Sequence, residues 1–275
     1  MRNSVKMFLK GLGIVSIICV SFALGKSNTA DERKVYIPSD EMRKSIVESA
    51  KWNPETEQEE VITDELPTVR QVERVDNVFL TGRSLEGAQY LTNVESAVYI
   101  PAEEGSIDMR PIGKMKNLKM LQYYTYPTED KGTHMVQDIS YLSELQKLES
   151  LDLYHYPVLD LTPLSNLKNL NRFNGASNVT APKMIVDKKF KQILFEHPMK
   201  YSTQFSDGSK DVNYASMSNE DGSWNKEIKP DLKGNIITIS NIEEQATNIE
   251  IHLGASSADK YYRHELIYEI PIVWY

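Results

Sequence analysis

Cysteine is almost absent from this chain, since Cys19 is the only one among its 275 residues. The single thiol lies in an uncharged stretch near the N-terminus. The rest of the chain can therefore form no disulfide and offers no cysteine nucleophile. Its fold must depend on an apolar core, and the 40% share of hydrophobic residues is typical of a folded soluble protein.

Long hydrophobic runs are also missing. The uncharged run at 11–24 is shorter than the roughly 20 apolar residues that a membrane-spanning helix needs. The basic residues that precede it are Arg2, Lys6 and Lys10. This pattern predicts a signal peptide at 1–25 that is removed on export, with no membrane insertion afterwards. An uncleaved N-terminal anchor is the alternative.

Positive charge is scarce relative to negative charge. The formal net charge is −8, and removal of the signal peptide would make it more negative because that segment holds no acid. An acidic protein is repelled by nucleic acid and by anionic lipid, so neither is expected as a partner. Export without cysteine favours a secreted, extracellular protein of a Gram-positive bacterium, and we expect a monomer.

Signatures of catalysis and of metal binding are lacking as well. The five histidines are scattered and form no H-x-x-x-H pair. There is no G-x-S-x-G motif and no glycine-rich phosphate loop. Adjacent carboxylates such as Glu59 and Glu60 point to different sides and do not make an acid/base pair. We therefore expect no enzyme, no catalytic residue, no metal site and no cofactor.

The sequence does contain an internal repeat. Apolar residues recur at a spacing of three from Leu142 and end in an L-x-L step at Leu151 and Leu153, and the spacing begins again from Leu164 to Phe173. The same frame fits the residues from Ala88 to Tyr99 and from Ile112 to Tyr123. A spacing of three keeps one residue inward on each turn of a tight helical segment, and L-x-L is a short strand. Stacked units share one core and one parallel sheet, so 85–177 is predicted to be a leucine-rich-repeat solenoid. A helical bundle is disfavoured because L-x-L steps and prolines interrupt helices.

The segments before the repeats have a different character. Residues 26–35 are polar and are predicted to be a flexible leader. Residues 36–84 are predicted to be a helical cap. Within it we expect one helix after Ser39, a good N-cap residue, and a second short helix that begins at Thr63.

After the repeats, apolar and polar residues alternate. The runs at 236–239, 249–253 and 266–270 are separated by glycine-containing turns, which is typical of short antiparallel strands. Residues 178–275 are therefore predicted to be an Ig-like β-sandwich. The predicted fold class is mixed α/β: a leucine-rich-repeat solenoid with an N-terminal helical cap and a C-terminal Ig-like β-sandwich.

In this order of segments the chain resembles the internalins of Gram-positive bacteria. The sequence LEGAQYLTNV at 85–94 is similar to the family's junction between cap and repeats, and DLTPLSNLKNL at 160–170 is similar to its repeat step. The resemblance implies that the concave face of the repeats recognises a protein partner, often on a host cell, in adhesion or virulence. No L-P-x-T-G sorting motif occurs, so the chain resembles the freely secreted members.

The chain also departs from that family. Family repeats usually carry an asparagine three residues after the strand, where its amide satisfies backbone groups. The corresponding positions here are Ala102, Tyr126 and Tyr156. We therefore expect this asparagine ladder to be missing. Extra residues relative to the usual period fall near 124–138.

The register of the L-x-L steps predicts which residues face outward. The partner-binding residues expected on the concave face are Val98, Ile100, Gln122, Tyr124, Tyr126, Asp152, Tyr154 and Tyr156. Tyr124 and Tyr154 should be neighbours on adjacent strands and continue the column that Ile100 begins. Such an aromatic column is typical of protein contacts. Alternatively, the tyrosines replace the ladder and pack under the 124–138 insertion, and the sequence leaves both interpretations open.

Together these patterns predict a secreted, internalin-like, non-enzymatic protein that binds a protein partner through its concave face. The alternative is a cell-envelope-associated protein that binds glycan or has a structural role.

Overall fold

The computed structural model describes residues 32–101, 108–125 and 136–275, all within one compact unit, Glu32–Tyr275. The predicted signal peptide and most of the predicted leader lie outside these residues. Within the described ranges, no helix combines the length and the apolar character that crossing a membrane requires.

The described chain is rich in strands and has few helices. The α-helices are α1 (Asp40–Ala50) and α2 (Val69–Glu73). The strands are β1 (Trp52–Asn53), β2 (Gln58–Glu59), β3 (Asn77–Thr81), β4 (Ser96–Ile100), β5 (Met120–Tyr124), β6 (Ser150–Tyr154), β7 (Arg172–Thr180), β8 (Met184–Val186), β9 (Gln192–Glu196), β10 (Ser209–Ser218), β11 (Asn225–Ile228), β12 (Asp231–Lys233), β13 (Ile236–Ser240), β14 (Asn248–Ser256) and β15 (Tyr262–Trp274). The 3₁₀ turns are Thr63–Glu65, Ala88–Tyr90, Arg110–Lys114, Ser140–Glu144, Thr162–Asn166 and Thr203–Phe205.

Helix α1 confirms the helix predicted after Ser39. The Ser39 hydroxyl accepts a hydrogen bond from the Met42 N–H at 3.3 Å, as expected of an N-cap. The residues of its buried stripe are Met42, Ile46, Val47 and Ala50. This stripe packs the helix against the apolar core.

The prediction of one continuous second helix that begins at Thr63 is wrong. Thr63–Glu65 is a single 3₁₀ turn, and Leu66 is extended because the following Pro67 disfavours helical backbone there. Helix α2 begins only after Thr68, which forms a capping box with Gln71.

The predicted flexible leader extends too far. The Val35 N–H donates to the Pro67 carbonyl at 2.8 Å, and the Val69 N–H donates to the Arg33 carbonyl at 2.9 Å. Residues 33–35 are therefore fixed against the segment that precedes α2 and belong to the folded N-terminal region.

Strands β3 to β7 lie side by side as a parallel array. A 3₁₀ turn precedes each of β4 to β7. Three of these turns follow an aspartate whose carboxylate accepts the backbone N–H two residues later; these are Asp108, Asp138 and Asp160. The repeating sequence unit is therefore one turn followed by one strand.

The inward positions predicted from the spacing of three are confirmed, because each of them is buried. They are Ala88, Leu91, Val94, Ala97, Tyr99, Ile112, Met115, Leu118, Leu121, Tyr123, Leu142, Leu145, Leu148, Leu151, Leu153, Leu164, Leu167, Leu170 and Phe173. No single turn–strand unit could cover these side chains, so the units depend on one another for a common core.

Two of the predicted domain boundaries do not coincide with boundaries in the sheet. Strand β3 lies within the segment predicted as the cap, yet it is the first strand of the parallel array. The boundary at 177/178 falls inside β7, which pairs with β6 on one side and, in parallel, with β15 on the other. One sheet therefore runs in the order β11-β10-β14-β15-β7-β6-β5-β4-β3, and β8 also pairs with β15.

A second, three-stranded sheet in the order β12-β13-β9 faces the antiparallel part of the large sheet. Phe195 on β9 and Tyr268 on β15 approach with ring centroids 6.2 Å apart. Ile237 and Ile251 are fully buried on the two sheets. The C-terminal part is thus two β-layers with an apolar interior, continuous with the parallel array.

Candidate functional site

The candidate site is the outer face of strands β3 to β7, which is the face turned away from the common core. Strand register aligns its side chains in rows. One row contains Phe79, Val98, Gln122, Asp152 and Asn174. In the adjacent row Tyr124, Tyr154 and Ala176 are register partners, as are Thr81 and Ile100, and the register between β4 and β5 ends one residue earlier, at Tyr99 and Tyr123. The predicted residues Val98, Ile100 and Gln122 lie on this face and are partly exposed.

Tyr124 and Tyr154 form the centre of this surface. They are register partners on β5 and β6. Their rings stack with centroids 5.2 Å apart and planes 7° from parallel, an offset arrangement that aromatic rings favour. Both side chains are partly exposed. The prediction that Tyr124 and Tyr154 are neighbours is therefore confirmed, and the two stacked rings present one aromatic surface.

The environment keeps the Tyr124 hydroxyl protonated. Burial raises the pKa of Tyr124, and the nearby Asp152 carboxylate raises it further because a phenolate would be repelled there. A neutral phenol both donates and accepts hydrogen bonds. The pair can therefore offer an apolar ring surface together with a polar tip.

Asp152 lies on the outer face but is only 1% exposed. Its carboxylate accepts hydrogen bonds from the Gln122 and Asn174 side-chain amides, each at 3.0 Å, and lies 3.4 Å from the Arg172 guanidinium. Its predicted role as an exposed contact is therefore wrong. These partners satisfy a buried charge, so Asp152 fixes the positions of its neighbours.

Tyr156 was predicted to face a partner, but it lies in the core with 3% exposure. His155 has a left-handed φ of 57°, and this conformation reverses the alternation of side chains after β6. The Tyr156 ring packs edge-on against Tyr123 at 4.9 Å, and Tyr123 packs against Tyr99 at 5.7 Å. Burial raises the pKa of Tyr156 to about 12. Its assignment to the binding surface is corrected accordingly.

The remaining predicted residue, Tyr126, lies outside the described residues, as does most of the predicted 124–138 insertion. The alternative that Tyr124 and Tyr154 pack under this insertion therefore concerns residues outside the described ranges as well.

Sequence reasoning missed three residues of this surface. Phe79 is 53% exposed and lies next to Val98 in register. Arg172 and Asn174 extend the polar side of the site from β7. The alternation of Val78 and Leu80 is a strand signal for β3, but it lies before the first complete repeat and was assigned to the cap.

An asparagine ladder is present, but it precedes the strands rather than following them. Asn93, Asn117 and Asn169 each lie three residues before a strand. Their side-chain amides donate to the carbonyls of Glu73, Thr92 and Gln146 at 2.9, 2.8 and 2.7 Å. Lys147 takes the fourth equivalent position and donates to the Asn117 side-chain oxygen at 2.6 Å. Consecutive turn–strand units are joined in this way on the surface.

The described residues of this face supply aromatic surface for stacking, hydrogen-bonding groups and charge. Across the described ranges, no three His, Cys, Asp or Glu side chains come together as metal ligands. The predictions of no enzyme, metal or cofactor remain predictions.

Comparison with known proteins gives no family assignment. No protein-family model matches the chain, and no curated protein matches its sequence. Similar solved structures include internalin C2 of Listeria monocytogenes, with 18% identity and a TM-score of 0.39 over 53% of this chain and 58% of that one. The functional domain of InlJ from Listeria monocytogenes has 11% identity and a TM-score of 0.40 over 74% of this chain and 44% of that one.

A structure of CBM51-2, in complex with GlcNAc, and INT domains of ZmpB from Clostridium perfringens is also similar. It has 13% identity and a TM-score of 0.34 over 88% of this chain and 37% of that one. The chain spans 58% of the internalin C2 structure and smaller shares of the InlJ and ZmpB structures. At these identities and TM-scores the likenesses do not bear on function, which is inferred below from the chain's own residues.

Proposed function

We propose that this chain is an exported, non-enzymatic, internalin-like protein that binds a protein partner through the outer face of its parallel strands. In this proposal the array is a leucine-rich-repeat solenoid, the outer face is its concave side, and the C-terminal layers are an Ig-like domain. The turn–strand periodicity and the shared core support the solenoid. The uncharged run at 11–24 after a basic start supports export.

The stacked Tyr124–Tyr154 pair carries the proposal for binding. Partly exposed tyrosines held rigidly on a sheet lose little conformational entropy when a partner covers them. Phe79, Val98 and Ile100 extend the apolar surface in the same rows, and the Asp152 network borders it with satisfied polar groups. An apolar centre with a polar border is the usual anatomy of a protein interface.

Site-specific photo-crosslinking tests this proposal. Benzoylphenylalanine would replace Tyr154 in residues 26–275, and a matched probe would replace Tyr36, which is 62% exposed and precedes α1. After irradiation in host-cell extract, we expect a protease-sensitive adduct from the Tyr154 probe alone. Adducts of equal yield from both positions would contradict the proposal. Retention on purified cell wall without a protein adduct would support the glycan-binding alternative instead.

A further inference from the structure

The polar row beside the tyrosine stack is organised around one carboxylate. Asp152 on β6 lies between Gln122 on β5 and Asn174 on β7 in strand register. Gln122 Nε2 donates to Asp152 Oδ2, and Asn174 Nδ2 donates to Asp152 Oδ1, each at 3.0 Å. Tyr124 and Tyr154 occupy the next row, so the carboxylate and the stacked rings share one face of the sheet.

The carboxylate fixes the orientation of both amides. A carboxamide can turn either its oxygen or its NH2 group toward a neighbour, since the two ends have nearly the same shape. An ionised carboxylate only accepts hydrogen bonds, so an amide oxygen turned toward Asp152 would be repelled. Asp152 is 1% exposed, and little water screens this preference. Gln122 and Asn174 therefore turn their oxygens away from it.

These two oxygens are accessible to a partner. Within the described ranges, no group donates a hydrogen bond to Gln122 Oε1 or to Asn174 Oδ1. Neither atom belongs to the buried polar atoms that lack a hydrogen-bond partner, so both reach solvent. Their strands are two steps apart, which is about 10 Å at about 4.8 Å for each step. The face thus carries two acceptors of fixed direction, one on each side of Asp152.

The charge of the network is balanced. The Arg172 guanidinium lies 3.4 Å from the Asp152 carboxylate. The row therefore offers a partner the direction of its hydrogen bonds rather than a net charge. A partner that covers the two amide oxygens removes their water, and it loses affinity unless it supplies donors in return. Because Asp152 already holds both amides, little entropy is lost when those donors bind.

We propose that the partner seats an apolar anchor on Tyr124 and Tyr154 and places carboxamide N–H donors on Gln122 Oε1 and Asn174 Oδ1. Main-chain N–H groups of a folded partner are mostly paired already, so asparagine or glutamine side chains are the neutral donors that fit. Asp152 is a positioning residue, because it makes this row an acceptor without touching the partner. This inference rests on the proposed function and names the chemistry of its partner.

Two defined peptides test the inference. The first is a fluorescein-labelled 12-residue peptide in which glutamine alternates with leucine around a central tryptophan. The second carries glutamine whose side-chain nitrogen is dimethylated, which keeps the carbonyl and the neutral charge but removes the side-chain N–H donors. Anisotropy titrations give the affinity of each peptide, and the ratio of the two affinities measures the contribution of the donors.

Three variants of the full chain accompany the wild type. Asp152→Asn introduces a carboxamide that accepts from one neighbouring amide and donates to the other, so one outer acceptor turns into a donor. Gln122→Met keeps the shape of a half-buried side chain and removes one acceptor. Asp64→Asn is the matched control, since it makes the same change in net charge at an exposed aspartate outside strands β3 to β7.

We expect the wild type and Asp64→Asn to bind the glutamine peptide at least about tenfold more tightly than the dimethylated peptide, because two hydrogen bonds are at stake. The ratio should fall to about threefold or less in Asp152→Asn and in Gln122→Met. Equal or undetectable binding of the two peptides by the wild type would overturn the inference, as would an unchanged ratio in either folded variant.

A Tyr124→Ala, Tyr154→Ala variant separates this inference from the proposed function. It should weaken the binding of both peptides to a similar extent and leave their ratio unchanged. Full affinity of this variant together with the wild-type ratio would contradict only the tyrosine anchor. A loss of affinity in this variant, with a ratio of one in the wild type, would contradict only the inference.

Discussion

Tyr154 and Tyr156 are two residues apart in sequence but face opposite sides of the sheet. Strict alternation would place both outside, and this is why the sequence predicted both as partner contacts. The left-handed backbone of His155 turns Tyr156 inward. A non-glycine residue with positive φ is uncommon and has no clear sequence signal, so this part of the site could not be predicted from the pattern.

The opposite orientations predict different costs of truncation. Tyr156→Ala removes a fully packed ring and should lower the free energy of unfolding by about 3–5 kcal/mol. Tyr154→Ala removes a half-exposed ring and its stacking, and should cost about 1 kcal/mol. Urea denaturation of the two variants measures both values. Equal costs would contradict the core assignment of Tyr156.

A buried histidine lies where the parallel array meets the C-terminal layers. His264 is 1% exposed on β15, and its ring nitrogen lies 3.1 Å from the Ser177 hydroxyl on β7. That hydroxyl donates to the Tyr156 carbonyl at 2.6 Å, so it accepts from the histidine N–H. The glycine at position 175 makes room for the ring, since a Cβ there would lie 2.5 Å from it. Burial lowers the pKa of His264 from 6.5 to about 3.

This pKa predicts a dependence of stability on pH. Unfolded His264 binds a proton below pH 6.5, whereas the folded form stays neutral down to about pH 3. The titration of His264 therefore costs no stability above pH 6.5. Below that pH it lowers the free energy of unfolding by about 1.4 kcal/mol for each pH unit. His264→Gln keeps an N–H donor but does not titrate, so its free energy of unfolding should fall less steeply between about pH 6 and pH 4.5.

Urea denaturation at several pH values checks this difference. Burial also lowers the pKa of His197, so some slope should remain in the variant. Glu60, whose pKa Arg74 lowers from 4.5 to about 2, loses its stabilising contribution only as the pH falls below about 4.5, so it adds little slope in this range. Identical slopes in the wild type and in His264→Gln would contradict the account.

At the scale of elements, the ladder of side-chain amides joins consecutive turn–strand units. The family's asparagine ladder follows the strands, and the sequence predicted that this ladder is missing here. The amides found in the structure precede the strands, at Asn93, Asn117 and Asn169. The asparagines themselves were visible in the sequence. Their role was not, because each depends on a backbone carbonyl 20 to 25 residues away that only the stacked fold brings within reach.

We expect Asn117→Ala to lower the free energy of unfolding by about 0.5–1.5 kcal/mol, because Asn117 donates to the Thr92 carbonyl and accepts from Lys147. Asn166→Ala is the matched control at an exposed asparagine outside the ladder, and it should change stability by less than about 0.5 kcal/mol. Chemical denaturation gives both numbers. If Asn117→Ala were as stable as Asn166→Ala, Asn117 would not have the structural role assigned to it.

Prediction was most successful where contacts are local. The spacing of three identified the buried positions because each turn–strand unit repeats the same inward geometry. Strand β3 was missed, since Val78 and Leu80 form only part of a repeat. The pairing of β7 with β15 was also missed, because Phe173 and Tyr262 are register partners from distant parts of the chain, and local periodicity does not encode such long-range pairings.

For the whole molecule, the consequence of that pairing is one continuous sheet. Phe173 on β7 packs against Phe205 from the C-terminal half, with ring centroids 6.2 Å apart, and the His264 ring fills the space above Gly175. At β7 the repeats and the C-terminal layers share core side chains. The two predicted domains should therefore unfold together.

Single-tryptophan variants test this cooperativity. One would retain only Trp52, near the N-terminal end, and the other only Trp274, on β15. We expect the two fluorescence transitions in urea to coincide with each other and with the loss of far-ultraviolet circular dichroism, as in two-state unfolding. Two separated midpoints would show that the halves fold independently.

The central claim is that the stacked tyrosines anchor a protein partner, and the affinity of a Tyr124→Ala, Tyr154→Ala variant for a crosslinked and identified partner tests it most directly. The control is Tyr36→Ala, Trp52→Ala, which removes two exposed aromatic side chains of the N-terminal region, 62% and 51% exposed, neither of which belongs to strands β3 to β7. Biolayer interferometry should show a loss of at least about 30-fold for the first variant, or about 2 kcal/mol, as expected of a hot spot. The control should bind as the wild type does, and a folded Tyr124/Tyr154 variant that keeps full affinity would contradict the claim.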